Sequence, residues 1–124
     1  MDSYKNRLEE TKTHYPFAEW RKNGEEFGME QYTEEACAKF VAIFDQLIEQ
    51  LVALGRDGGE PEKLTAFQKA IEATNYANDE DPSLIETGER EELCELCNLI
   101  ASAAGLDPSK YGDGEGPASE WRDW

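Results

Sequence analysis

The chain has 124 residues, 28 of them acidic and 12 basic, for a net charge of −16 at neutral pH. A field of that sign repels nucleic-acid phosphate and anionic lipid and draws in basic proteins, so the expectation is a basic protein partner, with no direct nucleic-acid contact and no membrane. The length suits one domain, residues 1–124, that removes about 65% of its unfolded surface from water, and 39% hydrophobic residues keep it on the folded side of the boundary with disorder.

The most apolar stretch is interrupted by Lys39, Asp45 and Glu49, well short of the roughly 20 apolar residues of a helical membrane span. Met1 to Lys5 has no signal-peptide core. The expected location is therefore cytoplasmic. Cys37, Cys94 and Cys97, an odd number of thiols, fit reduced and buried side chains in such a compartment.

Residues 1–30 mix aromatics (Tyr4, Tyr15, Phe17, Trp20, Phe27) with charge, and Pro16, Gly24 and Gly28 cut them into a helix over about 3–13 and a helical turn near 17–22. The helical core spans residues 33–105. Thr33 is a good N-cap, Glu34 and Glu35 suit the positive end of a helix dipole, and Gly55 supplies a stop. Between them Cys37, Phe40, Val41, Phe44, Leu47, Ile48, Leu51, Val52 and Leu54 recur at three and four, which predicts the central helix. Arg56-Asp-Gly-Gly59 is a turn. Pro61 then opens a helix over about 60–76 with Leu64, Phe67, Ala70, Ile71 and Thr74 inward, and Asn78-Asp-Glu-Asp-Pro82 ends it. Thr87 opens a third long helix running to Gly105 through Leu93, Leu96, Cys97, Ile100 and Ala104.

Residues 106–124 change character. Asp107-Pro-Ser109 caps one turn through Tyr111, Gly112-Asp-Gly-Glu-Gly-Pro117 is too rich in glycine for a regular element, and Ser119 is a candidate cap for a last turn carrying Trp121 and Trp124. Three long helices joined by short turns, with short N-terminal helices and an irregular tail, make the expected fold all-α: a small antiparallel bundle.

Chemical motifs are sparse. Cys94-Glu-Leu-Cys97 has the spacing of a metal or redox pair, but it lies in mid-helix with nothing to depress a thiol pKa, and neither Cys37 nor His14 brings zinc-knuckle spacing, so packing is the reading of all three cysteines. Of the helical pair, Cys97 shares the stripe of Leu93 and Ile100 and Cys94 sits at its edge. Gly112-Asp-Gly-Glu-Gly116 and Asn78-Asp-Glu-Asp81 resemble fragments of calcium loops without the full ligand pattern. Nucleophile-elbow, phosphate-loop and dinucleotide fingerprints are absent. We expect no catalytic residues, no metal, no cofactor and no enzymatic activity.

From Asp79 to Glu95 eight carboxylates face Arg90 alone. Helix-start preference accounts for Glu89, Glu91 and Glu92; the excess in the preceding loop is what suggests a partner surface. The candidate partner-binding residues are Asp79, Glu80, Asp81, Glu86, Glu89 and Glu92, with Trp121 and Trp124 as anchors, alongside Tyr76 and Tyr111. A docked tail that covers the bundle is the plain alternative for the two tryptophans.

At Leu84-Ile-Glu-Thr-Gly-Glu-Arg-Glu-Glu-Leu-Cys-Glu-Leu96, at Ala103-Ala-Gly-Leu-Asp-Pro-Ser-Lys-Tyr-Gly-Asp-Gly-Glu-Gly116 and at Ser119-Glu-Trp-Arg-Asp-Trp124, the chain resembles a family of small acidic bacterial proteins of unknown function. The likeness covers about residue 36 to the C-terminus. It implies a bacterial cytoplasmic setting and an ordered tail, and it brings no catalytic or ligand residue. The leading expectation is a non-enzymatic binding or inhibitor protein, comparable to an immunity protein or a nucleic-acid mimic, that neutralises a basic protein. The alternatives are a ligand-binding or enzymatic domain with a pocket near His14, Tyr15, Trp20 and the cysteines, or an adaptor.

Overall fold

The computed structural model describes residues 3–27, 34–80 and 87–122. The regular elements among them are all helical: α1 (Ser3–Glu10), tightening into a 3₁₀ turn at Thr11–His14, then α2 (Phe17–Phe27), α3 (Glu34–Leu54), α4 (Glu60–Glu80) and α5 (Thr87–Ala103). Two 3₁₀ turns, Pro108–Lys110 and Gly112–Gly114, and a short α6 (Ala118–Trp121) complete the chain. The protein is thus all-α. The expected cap Thr33 and the breaker Gly28 lie outside the described residues.

In α3 the three-and-four spacing buries Cys37, Phe40, Phe44, Leu47, Ile48 and Leu51 on one side. The helix ends where Gly55 turns to φ 78° and its amide reaches back to the carbonyls of Leu51 and Val52. α4 runs antiparallel to α3, since Lys39 lies 3.8 Å from Glu80 at one end while Leu54 and Glu62 share a depression at the other. It also continues to Glu80, past the break expected at Asn78. Ala77 is buried, and Asn75 donates to the Trp121 carbonyl at 2.9 Å. Tertiary contacts of this kind outweigh the few tenths of a kcal/mol per residue by which Asn and Asp disfavour helix.

The inward face of α4 differs by one position from the sequence expectation. Leu64 is only half-buried, while its neighbour Lys63 is 4% exposed. Its ammonium donates to the carbonyls of Arg56 at 3.0 Å and Ala104 at 2.8 Å. It also lies 5.2 Å from the centre of the Tyr4 ring, whose hydroxyl donates to the Leu51 carbonyl at 2.9 Å. Carbonyls at helix C-termini have no partner within their own helix. Lys63 and Tyr4 supply donors where α3, α5 and the start of α4 converge, which is why a charged residue occupies a core position.

α5 buries Leu93, Leu96, Cys97, Ile100 and Ala101 and ends two residues earlier than expected. Gly105, at φ 86°, makes the left-handed turn there, and the Leu106 amide bonds the Ala101 carbonyl at 2.9 Å.

The N-terminal segment is part of the core rather than an appendage. Tyr4, Leu8, Phe17 and Trp20 are buried. Phe17 stacks on Phe40 of α3 with ring centres 5.6 Å apart and meets the edge of Trp20 at 5.2 Å. α2 extends well beyond the single turn expected. Each such side chain contributes roughly 1.5–3 kcal/mol through burial, more than Gly24 costs the helix, at about 1 kcal/mol.

Candidate functional site

Charge is distributed unevenly along the chain. Residues 1–27 hold six acidic and five basic side chains, whereas residues 28–124 hold 22 acidic and seven basic, and one of those seven, Lys63, is buried. Among the described N-terminal acids, Glu9 pairs with Lys12 and Glu26 lies 4.0 Å from Lys22. The hydrogen bond of Lys12 to Glu9, 3.1 Å away, and then the charges of Glu9 and of Asp45 at 3.9 Å raise the Lys12 pKa. Asp45 also accepts the Tyr15 hydroxyl at 2.8 Å; burial first, then that bond, pushes the Tyr15 phenol up.

The predicted partner-binding residues have separate fates. Asp79 and Glu80 are exposed at the C-terminal end of α4, where Glu80 faces Lys39. Glu89 is half-buried at the start of α5. Glu92 is exposed overall, yet one of its oxygens accepts the Trp20 indole N–H at 2.7 Å. That bond ties α2 to α5, and a hydrogen bond to a carboxylate of this kind contributes about 1.5–3 kcal/mol. Nothing in the spacing of Glu92 distinguishes it from Glu91, which is exposed. Asp81 and Glu86 lie outside the described residues, as does Trp124.

Trp121 is half-buried and packs against the core. The tail that delivers it is held at several points. Asp107 accepts both the amide and the hydroxyl of Ser109, at 3.0 and 2.7 Å, and these bonds hold its pKa low. Tyr111 donates to Glu60; burial and that bond push its phenol up to about 12. Gly116 passes so close to Asn98, at φ 120°, that a Cβ there would collide with its side chain. Ser119 is not the expected cap, for Pro117 precedes α6 and no side chain caps it. The Ser119 hydroxyl lies inside that turn, donating to Glu115 at 3.1 Å and accepting from Arg122 at 3.1 Å.

The cysteines divide as their spacing suggested: Cys97 is buried and Cys94 half-buried, and all three are free thiols. Burial raises the pKa of each. Cys94 opens onto a cleft of about 480 Å³ formed by Arg90, Glu91 and Glu95 of α5 with Glu115, Ser119 and Arg122 of the tail. His14 borders a different depression, of about 220 Å³, with Arg7, Glu10, Leu99 and Ser102 among its walls. The groups proposed for a common pocket are therefore dispersed: Trp20 and Cys37 are in the core, Tyr15 leans on Phe44 with ring centres 6.4 Å apart, and His14 faces elsewhere. Among the described residues no group of three or more His, Cys, Asp or Glu side chains could hold a metal ion. No helix among them is long and apolar enough to cross a membrane.

No family model, no curated protein and no solved structure matches this chain. Its chemistry must therefore be read from its own surface, which is a set of outward carboxylates on helices whose inner faces are committed to packing.

Proposed function

We propose that this protein is a non-enzymatic acidic binding protein that occludes a basic protein partner, in the manner of an immunity protein over a nuclease-type toxin or of a nucleic-acid mimic over a DNA- or RNA-binding protein. The observation that supports this reading is the excess of 22 acidic over seven basic side chains beyond residue 27. Three long antiparallel helices form the frame that holds these charges in fixed positions. A fixed anionic surface steers a cationic protein towards association rates of ~10⁸ to 10⁹ M⁻¹s⁻¹ at low salt, while affinity comes from a few desolvated anchors. Among the described residues Tyr76, 67% exposed beside Asp79 and Glu80, is an aromatic placed to act as one. Trp121 serves the tail's docking instead. The bacterial, cytoplasmic setting implied by the C-terminal resemblance belongs to the same reading.

The test is capture from the native host at low ionic strength, followed by stopped-flow association with the captured protein. A basic partner is expected, with an on-rate that falls steeply as salt rises. Reversing Asp79, Glu80, Glu91 and Glu95 together should slow association by about tenfold or more with little change in helicity. An on-rate insensitive to both salt and reversal removes the proposal.

A further inference from the structure

The two walls of the cleft between α5 and the tail differ. On the tail side the polar groups satisfy one another: Ser119 donates to Glu115 and accepts from Arg122, both at 3.1 Å, and the Arg122 guanidinium lies 3.6 Å from Glu115. On the α5 side Arg90 is half-buried while Glu91 and Glu95 are exposed, and among the described residues no ion pair within 4 Å engages any of the three. Arg90 stands in the first turn of α5, where the helix dipole favours Glu89 and disfavours a cation, so helix stability does not explain a guanidinium there. At about 480 Å³ the cleft falls within the range of roughly 300–1,000 Å³ usual for small-molecule sites.

From this we infer that the α5/tail cleft binds a small zwitterion, an α-amino acid, whose carboxylate is taken by Arg90 and whose ammonium is taken by Glu91 and Glu95. The charges of both elements select that class. The lining holds two guanidiniums and three carboxylates. Around it α5 adds Glu89 and Glu92, and the tail adds Asp107, Asp113 and Glu120 against Lys110. A simple anion meets this excess of carboxylates on a body of net charge −16 and is repelled. A simple cation must seat against two guanidiniums, a cost that the carboxylates of α4 do not impose. A molecule with one charge of each sign satisfies the unpaired groups of both signs and, being neutral overall, is indifferent to the wider field. The planar fork of Arg90 suits a carboxylate in particular.

Helix geometry places the two signs side by side. Arg90 and Cys94 are one turn apart, as are Glu91 and Glu95, so a row carrying the cation runs beside a row of carboxylates. Asn98, next along the Arg90 row, donates to the Glu115 carbonyl at 3.4 Å; this row therefore faces the tail, and the body of the ligand lies over Cys94. Charges from both walls reach that thiol: burial raises its pKa, Arg122 and Arg90 lower it, and Glu115 and Glu91 raise it. Contacts that remain partly in water give an affinity of about 1 mM or weaker. The site does not depend on the capture reading, and salt separates the two. Capture of a basic protein loses its long-range steering as salt rises, whereas a net-neutral ligand in contact with its partners loses far less.

Titration of the full chain with L-alanine, L-glutamine and L-phenylalanine, each to about 50 mM, tests this by amide NMR shifts and by the rate at which iodoacetamide alkylates Cys94, the other two thiols being buried. At least one of the three should shift the Arg90, Cys94 and Ser119 amides and, at half-saturation or above, slow alkylation by about twofold or more. N-acetylation and C-amidation of that amino acid each remove one charge and should each weaken binding by about tenfold or more. Arg90→Gln should weaken it as much, with helicity by circular dichroism unchanged; Glu91→Gln combined with Glu95→Gln is the second variant should the first disturb the fold. Binding by none of the three, an acetylated or amidated derivative that binds as well as its parent, or binding indifferent to both variants overturns the inference.

Discussion

Residues 1–27 and residues 28–124 use their side chains in opposite ways. The first region is nearly neutral and sends its aromatics inward: Tyr4, Phe17 and Trp20 are at most 5% exposed, and Trp20 reaches across to Glu92. The second carries almost all of the net charge, much of it, among the described residues, on exposed faces of helices whose inner faces are already filled. In this protein the N-terminal region completes the core, and the net charge belongs to the other elements. One consequence follows for substitutions: those in the first region should act on stability, and those on the acidic surface should act on association.

The sharpest way to break that division is Trp20→Ala. It removes a ring packed against Phe17 and Phe40 and should cost about 3–5 kcal/mol by chemical denaturation. Glu91→Gln with Glu95→Gln, on the acidic surface, should change stability by no more than about 0.5 kcal/mol. Comparable losses from both would abolish the distinction.

Lys63→Met comes next. It keeps the aliphatic stem and leaves the Arg56 and Ala104 carbonyls without their donor, for an expected loss of about 2–4 kcal/mol. Measured with the Tyr4→Phe variant in a double-mutant cycle, the two should be non-additive, because both groups serve the same junction. Additive losses would mean that Lys63 acts through packing alone.

Glu92→Gln, which weakens a charge-assisted hydrogen bond between the two regions, should cost about 1 kcal/mol. The matched change Glu91→Gln should be close to silent.

The smallest expected effect is alkaline. A phenol whose folded pKa is raised favours the protonated form, so its stabilisation is complete below the ordinary tyrosine pKa of about 10 and is lost as pH rises. For Tyr111 that loss falls between about 10 and its folded value of about 12. Trp121 fluorescence should therefore shift towards that of a solvated indole over this window. In Tyr111→Phe the shift through this window should be diminished. A shift of equal size in the variant would assign the transition to another group, such as Tyr15.

Much of the fold was legible because hydrophobic periodicity reports burial directly. The stripe of α3, its glycine stop, the start of α5 at Thr87 and the edge position of Cys94 against buried Cys97 all follow from spacing within one helix. The errors share a cause. Local spacing favours Leu64 over Lys63 because polar residues read as outward, and only the convergence of carbonyls from Arg56 and Ala104 makes an ammonium welcome there. Asn78 and Asp79 look like a break, yet α4 continues because a contact that sustains it comes from a tail 46 residues away. Local spacing makes Glu92 look like its exposed neighbours because its partner, Trp20, is 72 positions distant.

The sequence by itself determined that this is a helical, strongly anionic chain, which helix faces turn inward, and where glycine must reverse the backbone. Those properties depend on composition and on neighbours three or four residues apart. Only the tertiary structure decided which carboxylates bond within the fold, that Tyr4, Phe17 and Trp20 belong to the core, and that Trp121 is docked. Each of these depends on residues remote in sequence meeting in space, and no local pattern encodes such a meeting.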